Sequence, residues 1–151
     1  MPRSALTHDD CARVLAGEQL VRVAFRDEES VYLIPLGYVW LGSALYGVAD
    51  TGRKTEMARQ NPTVAFQVDT SLRTGIWEWE SVTGEGRFEL VDGPEKQKAL
   101  AALQPAIADA PDWWRREQGP KMGTGALVVW RLRPAHITGC RYASGVAGGG
   151  A

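Results

Sequence analysis

The sequence predicts a mainly β fold: a closed or nearly closed β-barrel with peripheral helices. Three observations carry this expectation. Short segments of strand-like alternation outnumber helical ones along the chain. The few helices fall at connections, which fits a barrel better than the regular crossovers of a parallel sheet. The 151 residues are enough for one hydrophobic core and too few for two. A single domain is expected over residues 6–143, followed by a flexible glycine-rich tail over 144–151.

The elements follow in order. Thr7, with His8, Asp9 and Asp10 after it, reads as a helix start, because its hydroxyl caps free amides and the acids suit the positive helix end. Cys11, Val14 and Leu15 share one face of that helix, and Gly17 stops it. Leu20 to Arg26 alternates as a strand and is followed by the polar turn Asp27 to Ser30. Val31 to Tyr38 and Ala44 to Ala49 are two more strands, joined through Gly42-Ser43. Arg53 to Gln60 is a short helix ended by Asn61-Pro62. Thr63 to Val68 is a strand, and Asp69 to Gly75 a loop. Ile76 to Thr83 and Glu85 to Val91 read as a hairpin, with Gly84 and Gly86 marking a bulge or a close backbone approach. Pro94 to Leu103 is a helix, residues 104–124 carry no clear periodicity, and Ala126 to Leu132 and Ile137 to Tyr142 are strands broken by Arg133-Pro134.

Composition removes several function classes. With 17 basic and 18 acidic residues, no dominant electrostatic attraction to nucleic acid or anionic membrane is expected. Cys11 and Cys140 are far apart, so they suggest buried thiols, not a disulfide framework or a zinc site. No metal site is expected. No stretch approaches the roughly 18 apolar residues of a membrane span, and no leader is evident, which leads to a cytoplasmic expectation.

The most informative segment is Tyr46-Gly-Val-Ala-Asp-Thr-Gly-Arg-Lys54, where a strand passes through a glycine turn into a helix whose first residues are cationic. Free amides and the helix dipole there favour a phosphate, and Arg53 and Lys54 add charge-assisted donors. Without an anion the same cations oppose the dipole. The residues alone leave phosphate binding and a solvated surface turn both open.

The succession Val31-Tyr-Leu-Ile-Pro-Leu-Gly-Tyr38, Ala44-Leu-Tyr46, Gly52-Arg-Lys54, Asn61-Pro-Thr-Val64, Glu80-Ser-Val82 and Gly86 resembles the pyridoxamine 5'-phosphate oxidase-like superfamily. It is nearer the short flavin-binding members, which include nitroimidazole-resistance proteins, than the oxidase itself. The likeness runs from about residue 6 to residue 142. It implies an FMN-binding split β-barrel working as a homodimer, with cofactor at the interface and a small-molecule substrate. By the same resemblance, Pro35, Leu36, Gly37 and Tyr38 would present backbone to the flavin ring, Gly47 and Val48 would line the cofactor, and Gly52, Arg53 and Lys54 would hold its phosphate. Ser81 stands where the oxidase carries a glutamine that reaches the cofactor from the partner chain.

Two departures narrow what the resemblance implies. Nitroimidazole-resistance relatives have a histidine after the strand tyrosine, where this chain has Gly47 beside Tyr46. Glu80-Ser81-Val82 replaces the oxidase's Arg-Gln-Val, and nothing after Tyr142 matches its Arg-Leu-His segment. The resemblance therefore does not carry nitro-group reduction over to this chain, and pyridoxamine-phosphate oxidation is not expected. The leading expectation is an oxidoreductase passing electrons from a reduced nicotinamide to a small organic acceptor. A flavin carrier without turnover, or a barrel holding a deazaflavin coenzyme or haem, stands as the alternative. No catalytic side chain is named, because a flavin carries its own hydride chemistry.

Trp77 and Trp79 alternate across Glu78, which places both indoles on one sheet face as packing or stacking groups. An oligonucleotide-binding barrel could use such tryptophans as stacking platforms, but the acidic pair Glu78 and Glu80 beside them argues against it. Trp113 and Trp114, ahead of Arg115-Arg116, read as a lid over a ligand or as an interface anchor. His8 and His136 are assigned to surface or cap duty.

Overall fold

In the computed structural model, which describes residues 3–121 and 124–143, a short strand β1 (Arg3–Ala5) leads to helix α1 (His8–Gly17). Thr7 starts that helix as its hydroxyl predicts, accepting from the Asp10 amide at 3.1 Å while the Asp10 carboxylate accepts from the Thr7 amide. Strands β2 (Leu20–Arg26), β3 (Val31–Gly37), β4 (Val39–Leu41) and β5 (Ala44–Asp50) follow, then α2 (Arg53–Gln60) and β6 (Thr63–Asp69). A four-residue helix α3 (Ser71–Thr74) occupies the connection expected as loop. The remaining elements are β7 (Trp79–Val91), α4 (Gly93–Ala108), α5 (Asp112–Gln118) and β8 (Leu127–Tyr142).

All eight strands form one antiparallel, curled sheet in the order β3-β2-β6-β7-β8-β5-β4, with β1 also paired to β8. The curl brings β3 to β5: a Cβ added at Gly47 would lie 2.7 Å from the Gly37 carbonyl oxygen. The result is a split barrel. Its core follows from strand alternation. Val21, Val23 and Phe25 of β2, Val64, Phe66 and Val68 of β6, and Phe88, Trp130 and Leu132 of β7 and β8 point inward, and α1 adds Cys11, Val14 and Leu15. Phe88 meets Phe25 edge-on at 4.9 Å and stacks on Trp130 at 5.1 Å. Each such side chain contributes about 1.5–3 kcal/mol through burial. A second cluster, Ala44, Tyr46, Val91, Ala99 and Val129, joins α4 to the outside of β5 and β8.

The structure corrects four expectations. Residues 76–91 are not a hairpin: β7 is one strand of 13 residues, and the register shift at Glu85/Gly86 is the bulge those glycines signalled. Glycine is needed there for contact, not for turning, because a Cβ on Gly84 would strike the His136 carbonyl and one on Gly86 the Arg133 carbonyl. Trp77 therefore lies before the strand, 72% exposed, while Trp79 is in it and stacks on Tyr142 at 4.7 Å. The two indoles do not share a sheet face. Residues 127–142 form one strand through Pro134, which pairs with Gly86 at the bulge, where a missing amide is tolerated. Residues 104–124 include the end of α4 and all of α5. The glycine-rich tail expected over 144–151 lies outside the described residues. Among the described residues, no helix is long and apolar enough to cross a membrane.

Candidate functional site at the start of helix α2

The turn between β5 and α2 is built by its own chain chemistry. Gly52 occupies the N-cap of α2 and offers no side-chain acceptor. Thr55, buried to 3% exposure, binds back instead, its Oγ1 accepting from the Gly52 amide and donating to the Gly52 carbonyl, both at 2.9 Å. The first helical hydrogen bond runs from the Glu56 amide to the Gly52 carbonyl. The amides of Arg53, Lys54 and Thr55 thus precede the helical ladder and meet no N-cap side chain. Two cations stand on the same turn, where the helix dipole alone would favour acids. Uncapped amides plus Arg and Lys form a donor set that suits a phosphate dianion.

Arg53 is tied to the barrel. Its guanidinium lies 4.5 Å from the centre of the Tyr32 ring on β3. Its charge also contributes, after the hydrogen bonds from the Glu29 and Ser30 amides, to holding the Asp27 carboxyl below its usual range. On β3, alternation places Pro35 and Gly37 outward and exposed, and Leu36 half-buried against the main core. The position a Gly37 side chain would take is open, its nearest neighbour being the Gln19 carbonyl at 4.0 Å. A planar ligand can reach the main chain there.

Tyr38 and Gly47 have different surroundings. Tyr38 is 6% exposed, and its hydroxyl donates to the Leu15 carbonyl at 2.6 Å while its amide donates to Gln19. Burial pushes that phenol well above its ordinary range. The space beside Gly47 is filled by the Trp130 ring and the Gly37 carbonyl, so this glycine serves the β3–β5 seam. Val48 is half-buried against the second cluster.

Nine of the ten residues expected at the site lie on the Pro35–Tyr38 stretch at the end of β3, on β5 or on the α2 turn, but they do not converge on one open surface: Tyr38 is buried toward α1, Val48 packs on the second cluster and the space beside Gly47 is filled. Ser81 stands apart within the chain. It pairs with Cys140 near the far end of β8, whereas Asp50 pairs with Leu127 at the near end. On the outward sheet face Ser81 accepts from Gln67 at 3.1 Å; Gln67 also donates to Asp69, and Arg22 donates to both Gln67 and Asp69 at 3.1 Å. Val31 and Leu33, 66% and 64% exposed, lie on the same outward side of β3.

Sequence reasoning missed three contributors. Thr55 was findable, being three residues after Gly52 in capping-box spacing. Tyr32 carries no sequence signal for its contact with Arg53. The third is the segment after α4: Gln118 and Lys121 both reach the Asp50 carboxylate at 3.3 Å, and the Thr51 amide donates to the Ala126 carbonyl at 3.4 Å.

An antiparallel split barrel with a cationic, uncapped helix start beside its seam defines the class of this protein. The chain belongs to the pyridoxamine 5'-phosphate oxidase family, whose pattern it matches over residues 7–141. Among solved structures, an FAD-binding protein from Mesorhizobium loti superimposes with a TM-score of 0.75 at 23% identity, covering 95% of this chain and 100% of that one. A putative 5-nitroimidazole antibiotic resistance protein from Bacteroides thetaiotaomicron gives 0.70 at 16% identity, over 93% and 88% of the two chains. The haem storage protein HutZ from Vibrio cholerae gives 0.67 at 12% identity, over 86% and 92%. At these identities the structural likeness establishes the shared fold.

Proposed function

We propose that this chain is a flavoprotein that holds FMN, or the FMN portion of a larger flavin, by its phosphate on Gly52, Arg53 and Lys54. The observation that carries the reading is the uncapped start of α2 with two cations on it. Family membership supports it, as does the FAD-binding protein among the structural neighbours. In this reading Arg53 and Lys54 neutralise the phosphate, the first-turn amides orient it, and the exposed Pro35–Gly37 edge receives the ring. Bound flavin would supply hydride transfer, for which no acid–base side chain is required. The reaction is then transfer of electrons from a reduced nicotinamide to a small organic acceptor.

The working unit in this proposal is a homodimer. Exposed Val31 and Leu33 beside the internally satisfied Arg22–Gln67–Asp69–Ser81 cluster give the outward face an apolar area with paired polar groups, the composition of an interface. A second subunit there would bring its own Ser81 toward this subunit's cofactor.

Purified protein is expected to carry or take up a chromophore with flavin absorption; a haem or deazaflavin spectrum, or a colourless protein that ignores added FMN, rejects the assignment. Arg53→Ala combined with Lys54→Ala is expected to weaken FMN binding at least tenfold while leaving riboflavin affinity near its starting value, since two charge-assisted contacts to phosphate are lost. Equal loss for both ligands would remove the turn from the site. Failure to oxidise NADPH with any small acceptor would leave a flavin carrier instead of an oxidoreductase.

A further inference from the structure

Ala99 and Leu100 of α4 pack on the outer face of β4, β5 and β8 through the second core cluster. Nearer the start of α4 the same face turns polar. Strand pairing sets Tyr46 opposite Arg131 and Arg131 opposite Glu89, with Arg87 two residues before Glu89 on the same side of β7. The Tyr46 hydroxyl donates to Glu95 of α4 at 2.7 Å, and Arg131 donates to the same carboxylate oxygen at 2.6 Å. Arg131 also pairs with Glu89 at 3.7 Å, and Arg87 pairs with Glu89 at 2.9 Å. Both of these acids are therefore engaged from within the fold. The hydrogen bonds from Arg131 and Tyr46 hold the Glu95 carboxyl below its usual range, so it stays ionised and keeps Tyr46 as its donor.

Two cations beside this network have no such partner. Arg133 follows Arg131 on β8, and Lys98 lies three residues after Glu95 on α4. Both are exposed, and neither makes a hydrogen bond or ion pair among the described residues. Arg133 is close enough for its charge to act on Glu95 and on Tyr46. An exposed arginine or lysine alone signifies only a solvated surface. Here the two share the lining of a cleft of roughly 920 Å³ between α4 and the β4–β5 turn, the size of a small-molecule site, whose other walls include Leu41, Ala44, Pro94 and Tyr46. Arg87, Lys98, Arg131 and Arg133 against Glu89 and Glu95 leave this face at a net +2, on a chain whose formal net charge is -1. The cleft lies at the Ala44 end of β5, whereas the α2 turn follows Asp50 at the other end, about 20 Å away at the rise of a strand.

We propose that this cleft is a binding site for a small organic carboxylate with a short apolar body. Its carboxylate lies in the planar fork of the Arg133 guanidinium, which matches two carboxylate oxygens, and Lys98 adds a further charge-assisted donor. The apolar body rests against Leu41, Ala44, Pro94 and the Tyr46 ring. Glu95 does not repel the ligand, because Arg131 and Tyr46 already compensate its charge. The site is separate from the flavin reading and does not depend on it.

The test is isothermal titration calorimetry of the purified full-length chain with benzoate and with acetate, which carries the same charge without the apolar body. Benzoate is expected to bind with a Kd below about 1 mM, and acetate about tenfold more weakly or less. Arg133→Ala and Lys98→Ala should each weaken benzoate binding about tenfold, the scale of one charged contact, while Lys96→Ala, a cation of the same helix outside the cleft, should leave it within about twofold. Arg53→Ala combined with Lys54→Ala should retain one benzoate site of unchanged affinity. Far-UV circular dichroism checks that each variant is folded, and Arg133→Gln carries the same expectation if the alanine variant is not. No benzoate binding below about 10 mM, equal affinities for benzoate and acetate, or a loss in Lys96→Ala as large as in Lys98→Ala would overturn the site. Loss of benzoate binding in the Arg53 and Lys54 variant would assign it to the α2 turn and overturn the proposal equally.

Discussion

Gly37 and Gly47 are both glycines at the barrel seam, and their surroundings separate their roles. A methyl on Gly47 would press on the Trp130 ring and on the Gly37 main chain, and a backbone carbonyl in a paired strand cannot rotate away. Gly47→Ala is expected to cost about 1–3 kcal/mol of folding stability, as overpacking does, with denaturant titration as the measurement. At Gly37 the same methyl enters open space. Gly37→Ala should therefore leave the denaturation midpoint almost unchanged and weaken flavin binding instead. Unaltered flavin affinity in that variant would move the ring away from β3. The family resemblance placed both glycines at the cofactor; sequence could not separate them, because a glycine's surroundings depend on strands from distant parts of the chain.

At the scale of the element, α1 is fastened to the sheet by charge as well as by Cys11, Val14 and Leu15. Arg13 of α1 donates to Glu80 of β7 at 2.9 Å, and Arg141 of β8 donates to the same carboxylate at 3.0 Å. The hydrogen bond from Arg13 outweighs the partial burial that would raise the Glu80 carboxyl, and Arg141 adds to the lowering, so it titrates below the usual Glu range. A carboxyl with a depressed folded value contributes stability above its unfolded value and loses it as pH falls through the folded one. Glu80→Gln should accordingly reduce stability near neutral pH and shrink the difference between neutral pH and about pH 4, where Glu titrates. Urea midpoints at the two pH values measure this; an unchanged difference would show that the carboxylate does not latch α1.

The elements read most clearly from sequence were those with local signals: Thr7 capping α1, alternation in β2 and β6, and Asn61-Pro62 closing α2. The glycine turn into α2 and the two cations at its start were legible for the same reason, as these residues are consecutive. What escaped was set by partners elsewhere. Gly84 and Gly86 look like turn residues until β8 is laid beside them, and Pro134 looks like a break until its amide is seen to be unneeded at the bulge. α5 stayed unread because polar contacts to Asp50, not an apolar stripe, hold it.

On the scale of the whole molecule, the outward sheet face decides whether the barrel works alone. Val31 and Leu33 expose apolar surface on an edge strand, a liability unless another subunit covers it. Leu33→Asp is expected to convert the proposed dimer to monomer in sedimentation velocity and to lower flavin affinity in parallel, since one wall of the proposed site would leave with the partner. A wild type that sediments as a monomer would contradict the dimer directly. A charge at Leu33 that leaves the dimer intact would place the seam on another face.

The position of β8 has a consequence for how the molecule is made. It is the last strand among the described residues, yet it lies in the interior of the sheet, paired with β7, β5 and β1. While the protein is being synthesised, β5 and β7 must wait with open edges for a partner that leaves the ribosome after them. Arg22 and Gln67, and later Leu45 and Leu132, meet only by closing long loops, which slows folding. A chain interrupted within β8 would therefore lose more than its last strand: it would release two unpaired sheet edges at once, the kind of surface that chaperones and proteases recognise before folding can finish.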